Sequence, residues 1–466
     1  MICSDGPPFG VFAPTFKWGL ASSAVQVEGG ATSDGKGPSV WDTKASTPGQ
    51  IFDGSSPNVC NDSYHLCEED LKLLKLLGVK AYRFRGRKEE INQAGLDYYS
   101  KLVDMLLENG IEPFVTIFHW DTPTALDEAY GSWRDADNMV ADFTRYAEVL
   151  FQTLGDRVKC WMTINEPIAM LFFPTMGGLY KNWRPEIDNW KTVYTLLKAH
   201  GTVVDLYRRR YQPSQGGTIG IVLFADPIYL GKYPEQIVRD LGDRLPALTD
   251  EDVRLIKGST DNFCLNTYSS VFVTGQSIPK EKWGPHSEMT GAVEESYVDR
   301  ESKPIGNAGH PFFLYDVPWG FRKMLRHIQA RYLIPLHLPL IITENGFAVK
   351  DEAKMRKEDC LNDVQRVNYY RGYLAELSAA VNEDALNCIG YFAWTIAEYV
   401  KPHRQSRRLG FADPRFSARS NWEWSFGFPC RYGVSYVDRS STTLERVPKA
   451  SARFLAEFFG ASIREK

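Results

Sequence analysis

Two glutamates, Glu166 and Glu344, lie in short polar signatures whose residue types suit acid–base and nucleophilic chemistry. Glu166 belongs to TINEP (163–167) and Glu344 to ITENG (342–346), and each signature closes an apolar run. Cleavage of a glycosidic bond needs one carboxylic acid that protonates the leaving oxygen and a second carboxylate that attacks the sugar or activates water. The pair predicts such a site if the fold brings the carboxyl groups face to face. The alternative is that each glutamate only interacts with the positive end of a neighbouring helix.

Eight apolar runs rich in β-branched and aromatic residues predict the strands that carry these signatures. They span 16–28, 80–85, 112–120, 160–167, 217–224, 261–270, 339–346 and 389–396. Between them, leucines and aromatic residues recur at spacings of three and four, which predicts helices over 68–78, 93–110, 136–156, 317–333 and 361–383. Eight alternations of strand and helix predict an α/β fold, the (β/α)₈ or TIM barrel.

The carboxyl ends of the strands in such a barrel carry the active site, and here those ends are unusually polar. The polar and aromatic residues that close the runs are Gln26, Glu28, Arg83, His119, Trp120, Asn165, Glu166, Asn266, Tyr268, Glu344, Asn345 and Trp394. A single histidine or tryptophan at a strand end more often packs in the core than binds a ligand. The whole set favours a site at the barrel mouth, with Glu166 on the fourth strand and Glu344 on the seventh.

The composition predicts a globular chain without affinity for polyanions. Of 466 residues, 43% are hydrophobic and 24% charged, which is enough to bury a large core. We expect one barrel domain over 1–466, because barrels of this kind exceed the ordinary domain length. The net charge of −4 provides no field for nucleic acid. No apolar window is long enough to span a membrane and no secretory leader is recognisable, so we expect a cytoplasmic protein.

No metal or organic cofactor is predicted. The sequence contains no HExxH motif, no glycine-rich phosphate loop and no close cluster of cysteine and histidine. Its eight cysteines are scattered without CxxC pairs, so we expect mostly buried thiols. The expected partner is a small molecule, and the sequence does not predict an oligomeric state.

Over nearly its whole length the sequence resembles the family-one glycoside hydrolases typified by β-glucosidases, and the fungal intracellular members most closely. The order of TINEP before ITENG is the most specific part of the resemblance. The weaker matching segments are FKWGLASSAVQVEGG (16–30), DGKGPSVWDT (34–43), YRF (82–84), FHWDTP (118–123), NTY (266–268), PWGFR (318–322), YFAW (391–394), NWEW (421–424) and RYGVSYVD (431–438). The resemblance implies retaining hydrolysis of terminal β-D-glucosyl residues from unphosphorylated β-glucosides or short oligosaccharides.

Matched position by position, the resemblance implies that Glu344 is the nucleophile and Glu166 the acid/base. Arg83 and Tyr268 match the family residues that hydrogen-bond the nucleophile, and a guanidinium and a phenol are suitable donors to a carboxylate. Asn165 matches the residue that contacts the sugar 2-hydroxyl. The other matching sugar-binding residues are Gln26, His119, Trp120, Asn266, Trp394, Glu423 and Trp424. A carboxylate at Glu423 would repel a 6-phosphate, which favours an unphosphorylated sugar.

Three segments depart from the family pattern. After Arg83, YRFRGRKEEINQAGLDYY (82–99) runs almost directly into a helix, which predicts a curtailed second strand. In GIVLFADPIYLG (220–231), two family segments that a long connection normally separates are fused, which predicts a curtailed fifth unit. Residues 397–420 form an atypical basic insertion before NWEW.

These departures leave three alternatives open. The chain is an active enzyme, a catalytically impaired or silent sugar-binding relic of the same fold, or a mis-spliced form of an active enzyme. An incomplete strand leaves buried backbone groups unpaired at about 1–3 kcal/mol each, so we expect reduced stability. The preference for a glucoside over a galactoside or fucoside rests on the resemblance alone.

Overall fold

A computed structural model of the chain describes residues 10–85, 92–222, 225–274, 278–285, 287–290, 293–400, 422–438 and 444–464. Eight parallel strands form its central sheet: β1 (Lys17–Ala21), β2 (Ala81–Arg85), β3 (Glu112–Phe118), β4 (Cys160–Ile164), β5 (Thr218–Gly220), β6 (Phe263–Asn266), β7 (Leu340–Asn345) and β8 (Cys388–Trp394). Their hydrogen-bonded order is β5-β4-β3-β2-β1-β8-β7-β6. This order is that of a nearly closed ring, so the predicted barrel is confirmed.

A helix of the outer layer follows each strand. These helices are α1 (Ser63–Leu77), α2 (Gln93–Glu108), α3 (Ala136–Leu154), α4 (Pro185–Leu206), α5 (Asp250–Ile256), α6 (Pro318–Ile328), α7 (Val364–Asn382) and α8 (Ala450–Ser462). The five predicted helical segments coincide with α1, α2, α3, α6 and α7. In α3, for example, Phe143, Ala147 and Leu150 are buried at the predicted spacing. No helix in the described part of the chain is long and apolar enough to cross a membrane.

Shorter elements form the connections. Short α-helices span Ala24–Val27, Val40–Ser46, Thr124–Tyr130, Ala169–Gly177, Gln212–Gln215, Ala225–Leu230, Glu235–Leu241, Ser287–Thr290, Ile334–Leu336 and Lys357–Leu361. Turns of 3₁₀ or π type span Ser33–Gly35, Ser132–Arg134, Tyr207–Tyr211, Gly242–Arg244, Lys280–Lys282, Gln329–Leu333, Glu352–Lys354 and Trp424–Phe426. Small sheets join Phe272–Thr274 to Glu294–Ser296, Asn307–Ala308 to Tyr315–Asp316, and Glu398–Val400 to Ser435–Asp438 and Arg446–Pro448.

Several strands are shorter than the predicted runs. The run 16–28 stays in the sheet only to Ala21, because the backbone then turns into the short helix Ala24–Val27, which carries Gln26. The runs 112–120 and 160–167 leave the sheet at Phe118 and Ile164. The residues beyond these points lie in loops at the barrel mouth, where a polar side chain can face a ligand.

The second strand keeps its pairing within the barrel. β2 pairs with three residues of β1 and along its whole length with β3. Residues 86–91, where the predicted curtailment falls, lie outside the described residues. Arg83 is therefore fixed between two neighbouring strands.

The fifth unit is curtailed, as predicted. β5 has three residues and pairs along one edge with β4. Within the described residues its other edge meets β6 through one isolated bridge, between Val222 and Cys264. Asp261 supplies part of the missing ladder, since its Oδ2 accepts from the Ile219 N–H at 2.9 Å and its own N–H donates to the Ile219 carbonyl at 2.8 Å.

The insertion before NWEW begins as a strand. Of the predicted insertion 397–420, Glu398–Val400 pairs with Ser435–Asp438, and 401–420 lies outside the described residues. The segment that follows is also tied to the chain before the insertion, since the Val434 N–H donates to the Thr395 carbonyl at 3.0 Å and the Ser435 hydroxyl donates to the Ile396 carbonyl at 2.6 Å.

Apolar packing fills the barrel interior and the layer beneath the helices. Phe114 of β3 and Phe392 of β8 contact each other with ring centroids 4.8 Å apart. Near the start of β1, Trp18 stacks on Phe459 of α8 at 5.0 Å. Burying such a side chain contributes about 1.5–3 kcal/mol, so these contacts hold the strands in register below the mouth. The seven cysteines in the described residues are free and buried.

Candidate active site

Glu344, near the carboxyl end of β7, is held by two donors. Arg83 Nη1 forms an ion pair with Glu344 Oε1, and the phenol of Tyr268 donates to Oε2. The side chains of Arg83 and Glu344 are 1% and 4% exposed. Hydrogen bonds from a cation and a phenol stabilise the ionised form of a carboxylate. The two residues that the sequence names as supports of Glu344 are thus both in contact with it.

Arg83 uses the rest of its guanidinium to bind neighbouring strands. Nε donates to Thr116 Oγ1 on β3 at 2.9 Å, and Nη2 donates to Asn165 Oδ1 just after β4 at 2.6 Å. Nη1 also donates to the Thr343 carbonyl on β7 at 3.2 Å. One planar group therefore fixes the relative positions of several strand ends, which the single point charge of a lysine could not do. Sequence reasoning misses Thr116, because nothing distinguishes it from an ordinary strand threonine.

Glu166 lies two residues beyond β4, in the same hydrogen-bond network. Its backbone φ is +36°, a left-handed value that a residue other than glycine seldom adopts. Asn266 Nδ2 donates to Glu166 Oε1 at 2.7 Å and to Asn165 Oδ1 at 3.1 Å. Burial and the charge of Glu344 raise the pKa of Glu166 to about 8, although the bond from Asn266 lowers it in part.

The two carboxyl groups therefore have unequal surroundings. Glu344 is paired with a guanidinium, whereas the raised pKa keeps a proton on Glu166 at neutral pH. Carboxyl pairs in unequal environments supply an acid and a nucleophile or base at the same pH. This is the combination that cleavage of a glycosidic bond requires. Among the described residues, no group of three or more histidine, cysteine, aspartate or glutamate side chains is placed to hold a metal ion.

The amide of Asn165 has one orientation that suits its neighbours. Oδ1 accepts from both Arg83 and Asn266, so Nδ2 faces His119, whose Nε2 is 3.2 Å away. Because an amide nitrogen only donates, His119 Nε2 accepts and the proton of the neutral imidazole lies on Nδ1. The bond to His119 uses one hydrogen of Asn165 Nδ2 and leaves the second for a ligand.

Aromatic side chains border these polar groups. The ring centroids of Trp424 and Trp120 are 4.6 Å apart, and His119 stacks 5.8 Å from Trp424 and 5.9 Å from Trp394. The indole N–H of Trp120 donates to the Asn165 carbonyl at 2.7 Å, so this donor is already used within the protein. Trp120 and Trp424 have φ values of +75° and +54°. Such strained backbone is typical of functional sites.

Gln26 presents an unused hydrogen-bond donor. Its side chain is fully buried, and Oε1 accepts from Ser23 Oγ at 2.6 Å. Nε2 makes no hydrogen bond to any described residue. An unpaired buried donor costs about 1–3 kcal/mol, so a ligand acceptor beside Gln26 would be stabilised.

Tyr432 is a site residue that sequence reasoning misses. Its ring meets that of Tyr268 edge-on at 5.6 Å. Burial raises the pKa of Tyr432 well above its usual value, and the charges of Glu423, Glu166 and Glu344 raise it further. The charges that act on Tyr432 thus include that of Glu423, whose neighbour Trp424 contacts Trp120 at the barrel mouth. The only sequence signal is the place of Tyr432 within RYGVSYVD, where a site tyrosine looks like a packed one.

A buried ionic cluster anchors the segment that carries Glu423 and Tyr432. Arg366 of α7 pairs with Glu352 at 2.5 Å and donates to the Arg431 carbonyl at 2.6 Å, and Lys449 Nζ binds Glu352 at 2.6 Å. Burial would raise the pKa of Glu352, but the charges of Arg366, Lys449 and Arg431 outweigh it and lower the pKa to about 2. The residues around Arg431 are thus held by contacts that do not involve the insertion.

Comparison with known proteins points to one family. The family model described as Glycosyl hydrolase family 1 matches residues 10–225, 221–412 and 414–462. Beta-glucosidase 1B of Phanerodontia chrysosporium is 37% identical over 514 aligned residues, covering 100% of this chain and 88% of that protein. Beta-glucosidase 42 of Arabidopsis thaliana is 35% identical over 490 aligned residues, covering 96% of this chain and 94% of that protein.

Solved structures have the same architecture. A family 1 beta-glucosidase from the fungus Humicola insolens, in complex with glucose, superposes with a TM-score of 0.87 at 35% identity, covering 98% of this chain and 100% of that one. Beta-glucosidase 2 of the fungus Trichoderma reesei, in complex with Tris, gives 0.86 at 35% identity, with coverages of 97% and 100%.

The family match is interrupted at two of the departures found in the sequence. Its first two pieces meet at 221–225, in the fused fifth unit, and its last two meet at 412–414, in the insertion. The alignment to the Phanerodontia protein runs over 514 positions, against 466 residues in the whole chain. That relative therefore contains residues with no counterpart here.

Proposed function

Because the chain belongs to glycosyl hydrolase family 1, we propose that it hydrolyses terminal β-D-glucosyl residues of unphosphorylated β-glucosides and short oligosaccharides. The chain is a glycoside hydrolase of the β-glucosidase type. The observation that carries the proposal is the unequal pair, in which Glu166 has a raised pKa and Glu344 is paired with a guanidinium. The reaction is a double displacement that retains the anomeric configuration.

Glu344 is the proposed nucleophile. Support comes from Arg83 and Tyr268, which both donate to its carboxylate and so favour the charged form. In the first step a Glu344 oxygen attacks the anomeric carbon, the bond to the leaving oxygen breaks, and a glycosyl ester forms.

Glu166 is the proposed acid/base. A pKa of about 8 keeps its carboxyl group protonated at neutral pH, so it can donate a proton to the leaving oxygen. In the second step the resulting carboxylate takes a proton from the water that attacks the ester. The charge of Glu344 is one cause of the raised pKa, and the ester has no such charge. The pKa of Glu166 therefore falls at the step in which a base is needed.

The remaining residues named from the sequence are proposed to bind the sugar. Gln26 Nε2 and the second hydrogen of Asn165 Nδ2 are donors for sugar hydroxyls, and the Glu423 carboxylate is an acceptor. Trp394 and Trp424 offer aromatic faces to the C–H surface of the ring. The other proposed sugar-binding residues are His119, Trp120 and Asn266. The negative charge of Glu423 supports an unphosphorylated substrate.

The test compares the hydrolysis of aryl β-glucosides by the wild type and by carboxylate variants. Glu344→Ala is expected to lose turnover, and equal rates for the variant and the wild type would overturn the proposal. Glu166→Ala is expected to keep far more activity on a dinitrophenyl glucoside, whose leaving group needs no proton, than on cellobiose. Glu108→Ala, an exposed glutamate on α2, is the control. Proton NMR of the first product should show β-glucose, and α-glucose would exclude the double displacement.

A second experiment addresses the sugar. A glucoside and a galactoside differ in the configuration of one hydroxyl, which Gln26 and Glu423 are proposed to bind. We expect the higher kcat/KM for the glucoside. A higher value for the galactoside would overturn the assignment of glucose while leaving the hydrolase proposal intact.

A silent sugar-binding form of the barrel is the second candidate function. The interrupted family match at 221–225 and the three-residue β5 favour it. It predicts that glucose raises the melting temperature while turnover stays at background. Sequencing the transcript separates this candidate from a mis-spliced form. If the transcript encodes additional residues at 221–225, activity has to be measured on that longer protein instead.

A further inference from the structure

Tyr268, whose phenol donates to Glu344, lies in a short segment, Thr267–Tyr268, just beyond the end of β6. β6 ends at Asn266, which is the residue paired with Glu344 of β7. The Thr267 N–H donates to the Glu344 carbonyl at 2.9 Å. The carbonyls of Thr267 and Tyr268 need other partners, because a backbone acceptor buried without one is costly.

Those partners are one buried side chain of the barrel sheet and one of the outer helices. Asn345 Nδ2 donates to the Thr267 carbonyl at 2.7 Å and to the hydroxyl oxygen of Tyr369 at 2.8 Å. The Tyr369 hydroxyl donates in turn to the Tyr268 carbonyl at 2.8 Å. Asn345 lies on β7 next to Glu344, and Tyr369 lies on α7. The two side chains, which we call the Asn345–Tyr369 relay, are fully buried.

The hydrogen bonds assign donors and acceptors within the relay. The Asn345 amide nitrogen donates, so the Tyr369 oxygen accepts from it, and the Tyr369 hydroxyl donates to the Tyr268 carbonyl. Asn345 Oδ1 accepts from the hydroxyl of Tyr391 on β8 at 2.6 Å, which fixes the amide orientation. A buried network whose members are all satisfied is rigid and holds one geometry.

We propose that Tyr369, together with Asn345, is a positioning residue for the reaction, because it holds the backbone of Tyr268 so that the phenol stays on Glu344. The inference rests on the proposed function of Glu344 as nucleophile. Tyr369 acts through Tyr268. Without the relay the Tyr268 carbonyl keeps only the longer bond from Tyr373, at 3.3 Å. The phenol is then free to move off the carboxylate, and Glu344 keeps Arg83 as its donor.

The first test is Tyr369→Phe, which removes the hydroxyl and keeps the ring. We expect kcat on an aryl β-glucoside to fall about tenfold with little change in KM, since a hydrogen bond to the nucleophile is weakened. The acidic limb of the pH profile of kcat/KM should move to higher pH, because the charged form of Glu344 has lost a donor. A merely structural role for Tyr369 would leave this limb unmoved.

The matched control is Tyr332→Phe. Tyr332 is also buried, and its hydroxyl donates to Asp226 in a different part of the barrel wall. This variant should lose melting temperature to a similar degree but keep kcat and the pH profile of the wild type. If Tyr369→Phe behaves in the same way as Tyr332→Phe, the proposal is wrong.

A double-mutant cycle tests whether Tyr369 acts through Tyr268. In a Tyr268→Phe background, Tyr369→Phe should have little further effect on kcat, whereas independent effects that multiply would overturn the proposal. If Tyr369→Phe does not fold, Tyr373→Phe replaces it, because the Tyr373 hydroxyl also donates to the Tyr268 carbonyl, at 3.3 Å. The effect of Tyr373→Phe on kcat is expected to be smaller, and it must disappear when Tyr268 is already replaced by phenylalanine.

The outcomes separate this inference from the proposed function. If Glu344→Ala and Tyr268→Phe leave hydrolysis unchanged, the proposed function itself fails. If those variants lose activity while Tyr369→Phe and Tyr373→Phe do not, only the positioning role is wrong.

Discussion

Arg83 and Glu344 form an ion pair that is buried across the barrel mouth, between β2 and β7. Removing two charges from water is costly, and the attraction between them compensates only when their other hydrogen-bonding atoms are satisfied. Here Arg83 also binds Thr116 and Asn165. The pairing of β2 with both of its neighbours fixes the Arg83 backbone, so the shortened sequence after β2 does not displace this ion pair.

Replacing Arg83 is expected to abolish most of the activity. In Arg83→Met, Glu344 would remain buried without a counter-charge, a situation that costs about 3–5 kcal/mol. The carboxyl group would take up a proton instead, and kcat/KM on an aryl β-glucoside should fall at least about a hundredfold. Arg356→Met, an exposed arginine, is the control. An Arg83→Met variant with near wild-type activity would show that this ion pair is dispensable.

The pH dependence should report the raised pKa of Glu166. Activity is expected to fall above about pH 8, as the proposed acid loses its proton. The bond from Asn266 lowers this pKa, so Asn266→Ala should move the basic limb to higher pH. Glu344→Gln removes the repelling charge and should lower the pKa of Glu166, which carboxyl-labelled NMR can follow without turnover. A basic limb that does not move in Asn266→Ala contradicts the assignment.

Acid should destabilise the fold through His200. This histidine of α4 is fully buried, with Nδ1 2.7 Å from Thr163 Oγ1 on β4, and burial lowers its pKa to about 3. Its ordinary value is 6.5. Between these values the unfolded chain binds a proton that the folded chain does not, so the free energy of unfolding falls by about 1.4 kcal/mol per pH unit as the pH drops. Above pH 6.5 His200 is neutral in both the folded and the unfolded chain, so this loss of free energy of unfolding is absent there.

The check compares urea unfolding at pH 7 and pH 5 for three proteins. His200→Gln should lose less stability on acidification than the wild type does. His327→Gln, which changes an exposed histidine, should lose as much as the wild type. Equal losses for the wild type and His200→Gln would mean that another group dominates the acid sensitivity.

The seam between β5 and β6 should be the weak point of the barrel. Asp261→Ala removes the acceptor of the Ile219 N–H and the partner of Arg208, whose Nη2 lies 2.5 Å from Asp261 Oδ1. We expect a loss of about 2–3 kcal/mol in the free energy of unfolding, and a smaller loss for Asp261→Asn, which keeps one acceptor. Asp243→Ala, at an exposed position, is the control.

Restoring the missing connection should have the opposite effect. Inserting the residues of a relative after Leu223 is expected to lengthen the β5 pairing and to raise the melting temperature. If the chain as written already unfolds cooperatively above roughly 60 °C, at the upper end of ordinary domains, the short β5 does not destabilise the barrel and this prediction is wrong.

The barrel and the polar strand ends at its mouth are readable from the amino-acid sequence. Buried parallel strands must be apolar on both faces, so a polar residue such as Glu166 or Glu344 at the end of such a run stands out. The curtailed fifth unit was also predictable, because the connection after β5 is visibly absent from the sequence. These features depend on residues that are close together along the chain.

Which side chains contact one another, in contrast, depends on how the barrel closes. Tyr369 is one of several aromatic residues on α7, and nothing in its spacing separates a positioning hydroxyl from a core ring. Tyr432 and Thr116 were missed for the same reason. The pKa of Glu166 likewise depends on burial and on the charge of Glu344, which is remote in sequence. Such contacts exist only once the strands close into a ring, because closure brings together side chains from opposite ends of the chain.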